Sequence, residues 1–361
     1  NDRIIYRLRI IGLILMNLTK VLPTVLLVMV FTLTAAAQSI EPAVHGVRND
    51  LPRPYITQRD WGELPEGTGA WAAVTAVEPS PNGQFIYVIH RCFENSCENR
   101  PEPPILKYDY EGNLQMAFGA GLFIFPHGAT VDHEGNLWVA DARGNEDIGH
   151  QVIKFSPEGE ILMTLGQSGR GGSGPNLLHS PNDVVIDPND GDIFVTDSHR
   201  GGLNNRVVHY SASGGYIKEW GGKGSAQGLI SEPHTIAMDS RGRLFVGDRE
   251  NNRIQLFTQE GEFIDEWRQF GRPSGIFITP DDRIYVADSE SGPDTGAKEL
   301  TGIMKGIRIG SAIDGSVDVF IEDMEPLRDD HSGAEGVGVD HEGNVYGAVV
   351  RRRMLERHVL N

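Results

Sequence analysis

The chain has 361 residues, 44 of them Gly and 20 Pro, and only two cysteines. It carries 32 basic against 50 acidic side chains, a formal net charge of −18. That balance repels phosphate backbones and argues against nucleic acid as a partner, while the abundance of turn formers and the lack of any long amphipathic helical pattern after residue 40 argue against a helical fold.

The amino end differs in kind from the rest. An apolar block, Val21 to Thr34, follows Lys20 and precedes Ala35-Ala36-Ala37; a charged start, an apolar stretch too short to span a bilayer comfortably and small residues at the cut are the marks of a signal peptide. Residues 1–37 are therefore read as an upstream extension and a signal peptide, an uncleaved anchor being the alternative. Removing them takes away four basic groups and one acidic, leaving about −21. No later stretch is apolar enough to cross a membrane. The mature protein is expected to be secreted or periplasmic, free of the membrane after cleavage, and monomeric.

Residues 38–70 are rich in Pro and Gly and hold the short run Tyr55 to Gln58, read as a leader that supplies an outer strand closing a ring. Residues 71–361 are then built from one repeating unit. It is clearest as PHGATVDHEGNLWVAD from Pro126, and it returns as PNDVVIDPNDGDIFVTD from Pro181, PHTIAMDSRGRLFVGD from Pro233, PSGIFITPDDRIYVAD from Pro273 and AEGVGVDHEGNVYGAV from Ala334. A degenerate first copy, AAVTAVEPSPNGQFIYVI, begins at Ala72. The spacing is that of propeller blades rather than of helical solenoids.

In each copy a short apolar run meets an acidic or polar turn and then a second apolar run, which reads as a β-hairpin. Two further short strands follow, as in Gln151 to Phe155 and Glu160 to Leu165. One four-stranded meander cannot bury both of its faces, so six must stack around an axis. The fold predicted is all-β, a six-bladed β-propeller with the first strand of each blade lining the axis.

Several features fall on the way along the chain. Cys92 and Cys97 close a short loop in blade one and are expected to form a disulfide in an oxidising compartment. Asn204-Asn205-Arg206 and Asn251-Asn252-Arg253 follow the strand-ending Asp197 and Asp248, a repetition best explained as a structural network. Blade five carries an insertion, Glu290 to Thr301. The outer strands of blade six, around Arg351 to His358, read as short or irregular and leave its closure open.

Aligning the copies isolates one column at the start of the inner strands: Ala73, His127, Asn182, His234, Ser274 and Glu335. In a closed ring these positions converge. His127, His234 and Glu335 are a donor set for a divalent metal, zinc foremost, with iron, manganese or calcium as alternatives, and Asn182 and Ser274 are placed to touch a substrate. The competing reading is a set of polar plugs in a water-filled channel.

Pro126-His127-Gly128, Pro233-His234-Thr235, the run Asp248 to Gln255 and the pair His90-Arg91 resemble the NHL-repeat six-bladed propellers, and among them the peptidyl-α-hydroxyglycine α-amidating lyase family. The resemblance covers nearly everything from Trp71 onward. It implies an exported metal-dependent lyase that takes a small-molecule or peptide substrate in the axial pocket and splits an α-hydroxyglycine C–N bond into an amide and glyoxylate. Family members hold zinc with three axial histidines, act on the hydroxyglycine with an arginine and a tyrosine, and carry a core calcium. His127 and His234 match two zinc ligands and Arg91 matches the arginine. Glu335 stands where the third histidine is expected, Gly336 where an acidic calcium ligand is expected, and Ser198-His199-Arg200 where the tyrosine is expected, which makes His199 the candidate base. Two alternatives stand beside this one. Glu335, Asn182 and Asp183 resemble the donor set of metal-dependent lactonases of related form, and NHL propellers also serve as non-catalytic modules that bind peptide, glycan or protein.

Overall fold

A computed structural model describes residues 46–292, 302–327 and 332–361. The signal-peptide reading of residues 1–37 and most of the Glu290–Thr301 insertion lie outside the described residues.

Six four-stranded antiparallel sheets are arranged as blades. Their inner strands are Val74–Pro79, Pro126–Val131, Pro181–Ile186, Pro233–Met238, Pro273–Ile278 and Ala334–Val339. Each inner strand contacts the next, and the last contacts the first, so the ring is closed. The reason is apolar burial between neighbouring sheets. Ala76, Tyr87 and Ile89 of blade one share a core with Ala129, Leu137 and Val139 of blade two, and Trp138 and Val152 of blade two share another with Val184 and Val195 of blade three. Each such Val, Leu or Ile contributes roughly 1.5–3 kcal/mol when fully buried.

The acidic turns of the repeat are built from side-chain acceptors. Asp132 Oδ1 accepts from the backbone N–H groups of Glu134 (3.0 Å) and Asn136 (2.9 Å), and Asp132 Oδ2 from the Trp138 indole at 2.9 Å. Gly135 supplies the positive φ of 88° at the bend. Asp340 does the same in blade six, accepting from Glu342, Asn344 and the Tyr346 hydroxyl. The strand-ending aspartates are also structural: Asp197 Oδ2 accepts from Asn204 at 2.7 Å and from Arg206 at 3.0 Å, and Asp248 Oδ2 accepts from Asn251 at 2.8 Å and from Arg253 at 2.8 Å.

Blade six is complete, contrary to the irregular edge read from its sequence. Met354–Leu360 forms a seven-residue strand. Tyr55–Gln58 pairs with it antiparallel, Thr57 opposite His358, as the outermost strand of that sheet. The arginine cluster misleads because its members are satisfied locally. Arg352 makes a two-point contact with Asp323 at 2.7 and 2.6 Å, and the buried Glu356 accepts from Arg59 at 2.9 Å.

Candidate metal centre on the propeller axis

All six inner strands carry the same irregularity at the same place. Pairing with the second strand slips after Val74, Pro126, Pro181, Pro233, Pro273 and Ala334. A bulge leaves the extra residue unpaired and re-aims its side chain. Those residues include Thr75, His127, Asn182, His234, Ser274 and Glu335, and all but Asn182 line one cavity of about 120 Å³. Blade one is thus represented by Thr75 rather than by Ala73. Val74 pairs with His90 as Pro126 pairs with Asp141, an offset that the degenerate first copy concealed.

The two histidines are oriented by backbone carbonyls. Nδ1 of His127 lies 3.1 Å from the Asn182 carbonyl oxygen, and Nδ1 of His234 lies 2.7 Å from that of Ser274. A carbonyl only accepts, so in each ring Nδ1 carries a proton, and Nε2, turned inward, is the nitrogen whose lone pair the neutral ring would offer. Both Nε2 atoms face Glu335 Oε1, at 3.5 Å from His127 and 3.3 Å from His234. Neither has a hydrogen-bond partner, although both are buried. Three acceptors therefore meet where a cation is needed. For bonds of about 2.0–2.1 Å, the edge of a tetrahedral donor set is about 3.3 Å, so the spacing fits a small divalent metal.

His199 completes the cluster. Its ring nitrogens are buried without partners, and one ligand atom from each of His127, His199 and His234 lies within 4.8 Å of the others. Its ring centroid is 4.7 Å from that of His127 and 5.7 Å from that of His234. The side chain assigned as a base thus stands beside the donors themselves. Burial pushes its pKa well below the usual imidazole value, and the neighbouring imidazoles push in the same direction. Burial likewise pushes His127 down to about 3 against the opposing pull of Glu335. Desolvation of the partly buried Glu335 raises its pKa, but interaction with His127 and His234 outweighs this and holds the carboxyl well below its ordinary range. A neutral His127 beside an ionised Glu335 is the protonation state that a metal site requires.

The other polar column residues are committed to the frame. Asn182 donates to the carbonyls of Pro233, at 2.8 Å, and Ser198. Ser274 Oγ lies 2.6 Å from Ser289 Oγ. Asp183 accepts from the N–H of Val184 and from the Thr235 hydroxyl, both at 2.9 Å, and from the N–H of Ile236 at 3.0 Å, so it ties blade three to blade four. Burial raises its carboxyl to about 7. A Cβ at Gly336 would fall 2.5 Å from the Thr75 carbonyl, so close strand packing leaves no room for any side chain there.

Arg91 stands at one mouth of the axis. Cys92 and Cys97 are disulfide-bonded, closing the loop that carries Asn95. Arg91 donates from Nη1 to Asn95 Oδ1 at 2.8 Å and from Nε to the Pro126 carbonyl at 3.3 Å, while its buried Nη2 has no partner. Burial pulls its pKa down to about 9, with Glu335 opposing, so it stays charged at neutral pH. A second cavity of about 120 Å³ opens here, lined by Arg91, Asn95, Phe125, His199, Arg200, Glu290, Ser332, Glu335, Val350 and Arg351.

The sequence reading missed most of this mouth. Arg91, His199, Glu290 and Arg351 of its lining lie one or two residues past the second strand of their blades, as do Arg143 and Arg249 in the remaining two. Arg249 is buried and ion-paired with Glu232, and its Nη1 lies 3.9 Å from Glu290 Oε2.

A closed ring of six four-stranded blades defines the class, a six-bladed β-propeller, and the NHL repeat model matches residues 231–257. Part of the chain is similar in sequence to proteins named as amidating enzymes. It is 37% identical over 149 residues to the peptidyl-glycine alpha-amidating monooxygenase of Mus musculus, covering 39% of this chain and 14% of that protein. It is 29% identical over 245 residues to the peptidyl-alpha-hydroxyglycine alpha-amidating lyase 1 of Drosophila melanogaster, covering 59% of this chain and 43% of that protein. The match thus spans less than half of either relative. Among solved structures, a gluconolactonase from Xanthomonas campestris superposes with a TM-score of 0.55 at 15% identity, covering 89% of this chain and 99% of that one. At that identity the likeness speaks for the fold alone.

Proposed function

We propose that the protein is an exported, metal-dependent lyase that cleaves the C–N bond of a peptidyl-α-hydroxyglycine. The observation that carries this reading is the meeting of His127 Nε2, His234 Nε2 and Glu335 Oε1 with edges of 3.3 and 3.5 Å and with both Nδ1 atoms facing carbonyl oxygens. His127, His234 and Glu335 would hold the metal. Two imidazoles favour zinc, iron or manganese over calcium, and the glutamate charge moderates Lewis acidity relative to a third imidazole. When bound, the metal supplies polarisation of a substrate oxygen.

The remaining steps belong to the chain's own side chains. Arg91 presents its unpartnered Nη2 to the substrate carboxylate, and Asn95 and the Pro126 carbonyl hold the guanidinium plane in place. His199 takes the proton of the hydroxyl group. As that oxygen becomes the carbonyl of glyoxylate, the C–N bond breaks, its electron pair stays on nitrogen, and nitrogen takes a proton to leave as the amide. The disulfide supports export to an oxidising compartment.

The lactonase alternative draws no support from Asp183, whose oxygens already accept from Val184, Thr235 and Ile236. Metal analysis of the purified protein, paired with a glyoxylate-release assay on a hydroxyglycine peptide and a lactone-hydrolysis assay, tests the proposal. The expected result is one metal per chain, glyoxylate release, and loss of both in the His127→Ala/His234→Ala variant. A protein that cannot be loaded with metal, or that opens lactones without releasing glyoxylate, overturns it.

A further inference from the structure

The mouth holds more positive charge than one carboxylate needs. The Phe125 ring lies between two guanidiniums, with Arg91 Cζ 3.5 Å and Arg143 Cζ 3.7 Å from its centroid. Two cations that close to one ring must occupy opposite faces. Arg143 is placed by a tight hairpin: its carbonyl accepts from the His150 N–H at 3.1 Å, and the neighbouring Ala142 N–H donates to the Phe125 carbonyl at 3.0 Å. Arg200 follows His199 at the same opening.

These cations lack the counter-ions found elsewhere in this acidic chain. Arg206 is paired with Asp197 and Glu219, Arg253 with Asp248 and Glu266, and Arg272 with Glu250 and Glu290. Among the described residues neither Arg143 nor Arg200 has an ion-pair partner, and the charged group acting most on Arg143 is Arg200, which repels it. Of the two acids of the cavity, Glu335 faces His127 and His234 at 3.5 and 3.3 Å, and Glu290 is paired with Arg249 and Arg272. Arg91 Nη2 adds a buried donor with nothing to bind. Arg91 and Arg200 line the cavity and Arg143 stacks on its Phe125 wall; guanidiniums without counter-ions there constitute a site for an anion, and one carboxylate on Arg91 leaves the other two arginines unmatched.

We propose that the substrate carries a second anionic group, an acidic side chain on the residue preceding the hydroxyglycine, and that Arg143 and Arg200 bind it. This rests on the lyase reading for the identity of the first carboxylate. Arg143 and Arg200 are then specificity-determining residues, and the natural substrates are acidic at that position.

The test uses two ligands of the same shape that differ by one charge, glutarate and its monoamide glutaramate, titrated calorimetrically into the zinc-loaded protein. One added charge-assisted contact corresponds to about a tenfold or greater preference for glutarate. The Arg143→Ala/Arg200→Ala variant should bring the ratio near one, and Arg143→Lys/Arg200→Lys should restore part of it. A ratio near one in the unmodified protein, a ratio unchanged by the alanine pair, or no binding of either acid overturns the proposal. Circular dichroism on the same samples separates a lost site from a lost fold. Glyoxylate release is read separately: if it fails while the charge preference stands, the lyase reading is lost and the arginine assignment is not.

Discussion

Nε2 of His234 lies 3.3 Å from Oε1 of Glu335, although the two residues belong to blades four and six. With Nδ1 bonded to the Ser274 carbonyl, the neutral form of His234 turns a lone pair rather than an N–H toward Glu335. The pair is therefore a prediction about metal identity. Glu335→Gln removes the anionic donor and should weaken zinc retention about 10–100-fold, on the scale seen when groups around a metal are altered. Glu335→His supplies a third imidazole and should retain zinc at least as well as the unmodified chain. Competition with a zinc chelator reads both. Equal retention in all three proteins would show that Glu335 does not touch the metal.

His199 has no hydrogen-bond partner at either ring nitrogen. As a proton acceptor rather than a required ligand, its replacement by alanine should lower kcat about 10²–10⁴-fold while the metal stays bound. Metal loss in parallel with activity would move His199 into the ligand set.

The Cys92–Cys97 bridge closes the loop whose Asn95 holds Arg91 at 2.8 Å. Opening it in a Cys92→Ser/Cys97→Ser variant should raise KM more than it lowers kcat, because Arg91 loses orientation while the metal donors are untouched. Asn95→Ala should reproduce the KM effect on a smaller scale. Steady-state kinetics on a hydroxyglycine peptide decide this, and an unchanged KM in both variants would remove the loop from substrate binding.

Closure of the ring is expected to be acid-sensitive. His358 lies opposite Thr57 in the closing strand pair, with its Nδ1 2.9 Å from the threonine hydroxyl. Burial pushes its pKa down to about 4, and Arg59 adds to this. The folded chain thus keeps His358 neutral where the unfolded chain, with a value of about 6.5, takes up a proton. Its stabilising contribution is complete above pH ~6.5 and is lost as the pH falls toward 4, to the extent of about 3 kcal/mol. Asp141 and Asp183, raised to about 7 by burial, act in the opposite sense, since their cost at neutral pH is relieved by acid. Urea unfolding at stepped pH, compared between the unmodified protein and His358→Gln, isolates the histidine. The variant should lose less stability between pH 6.5 and 4.5, and parallel curves would contradict the assignment.

The same strand pair makes a thermal prediction. Ile56 sits opposite Val359, two residues on from the bonded pair Pro54–Asn361, so its N–H belongs to the ladder; Ile56→Pro removes that donor and should lower Tm by several degrees, a cost of a few kcal/mol. An unchanged Tm would mean that the ring holds without its outer strand.

The number of blades, their four strands and the axial column with His127, His234 and Glu335 were legible in the sequence. Alternating apolar runs and acid-Gly turns are local properties, and any six such meanders must close to bury their faces. The register of blade one was not legible, because its degenerate copy, Val74-Thr75-Ala76, keeps neither the Pro of blades two to five nor the Gly that follows Glu335 in blade six, and Ala73 stood in for Thr75. The mouth escaped for a different reason. Arg91 follows its strand directly, whereas Arg143 and His199 follow theirs after one further residue, and no hydrophobic period aligns such loops. Only the closed ring brings Arg91 and Arg143 to one phenylalanine. The outward-facing nitrogens of His127 and His234 are held by carbonyl oxygens, which every residue possesses. Tertiary structure alone therefore decides which carbonyl meets which ring, and with it where the lone pairs point.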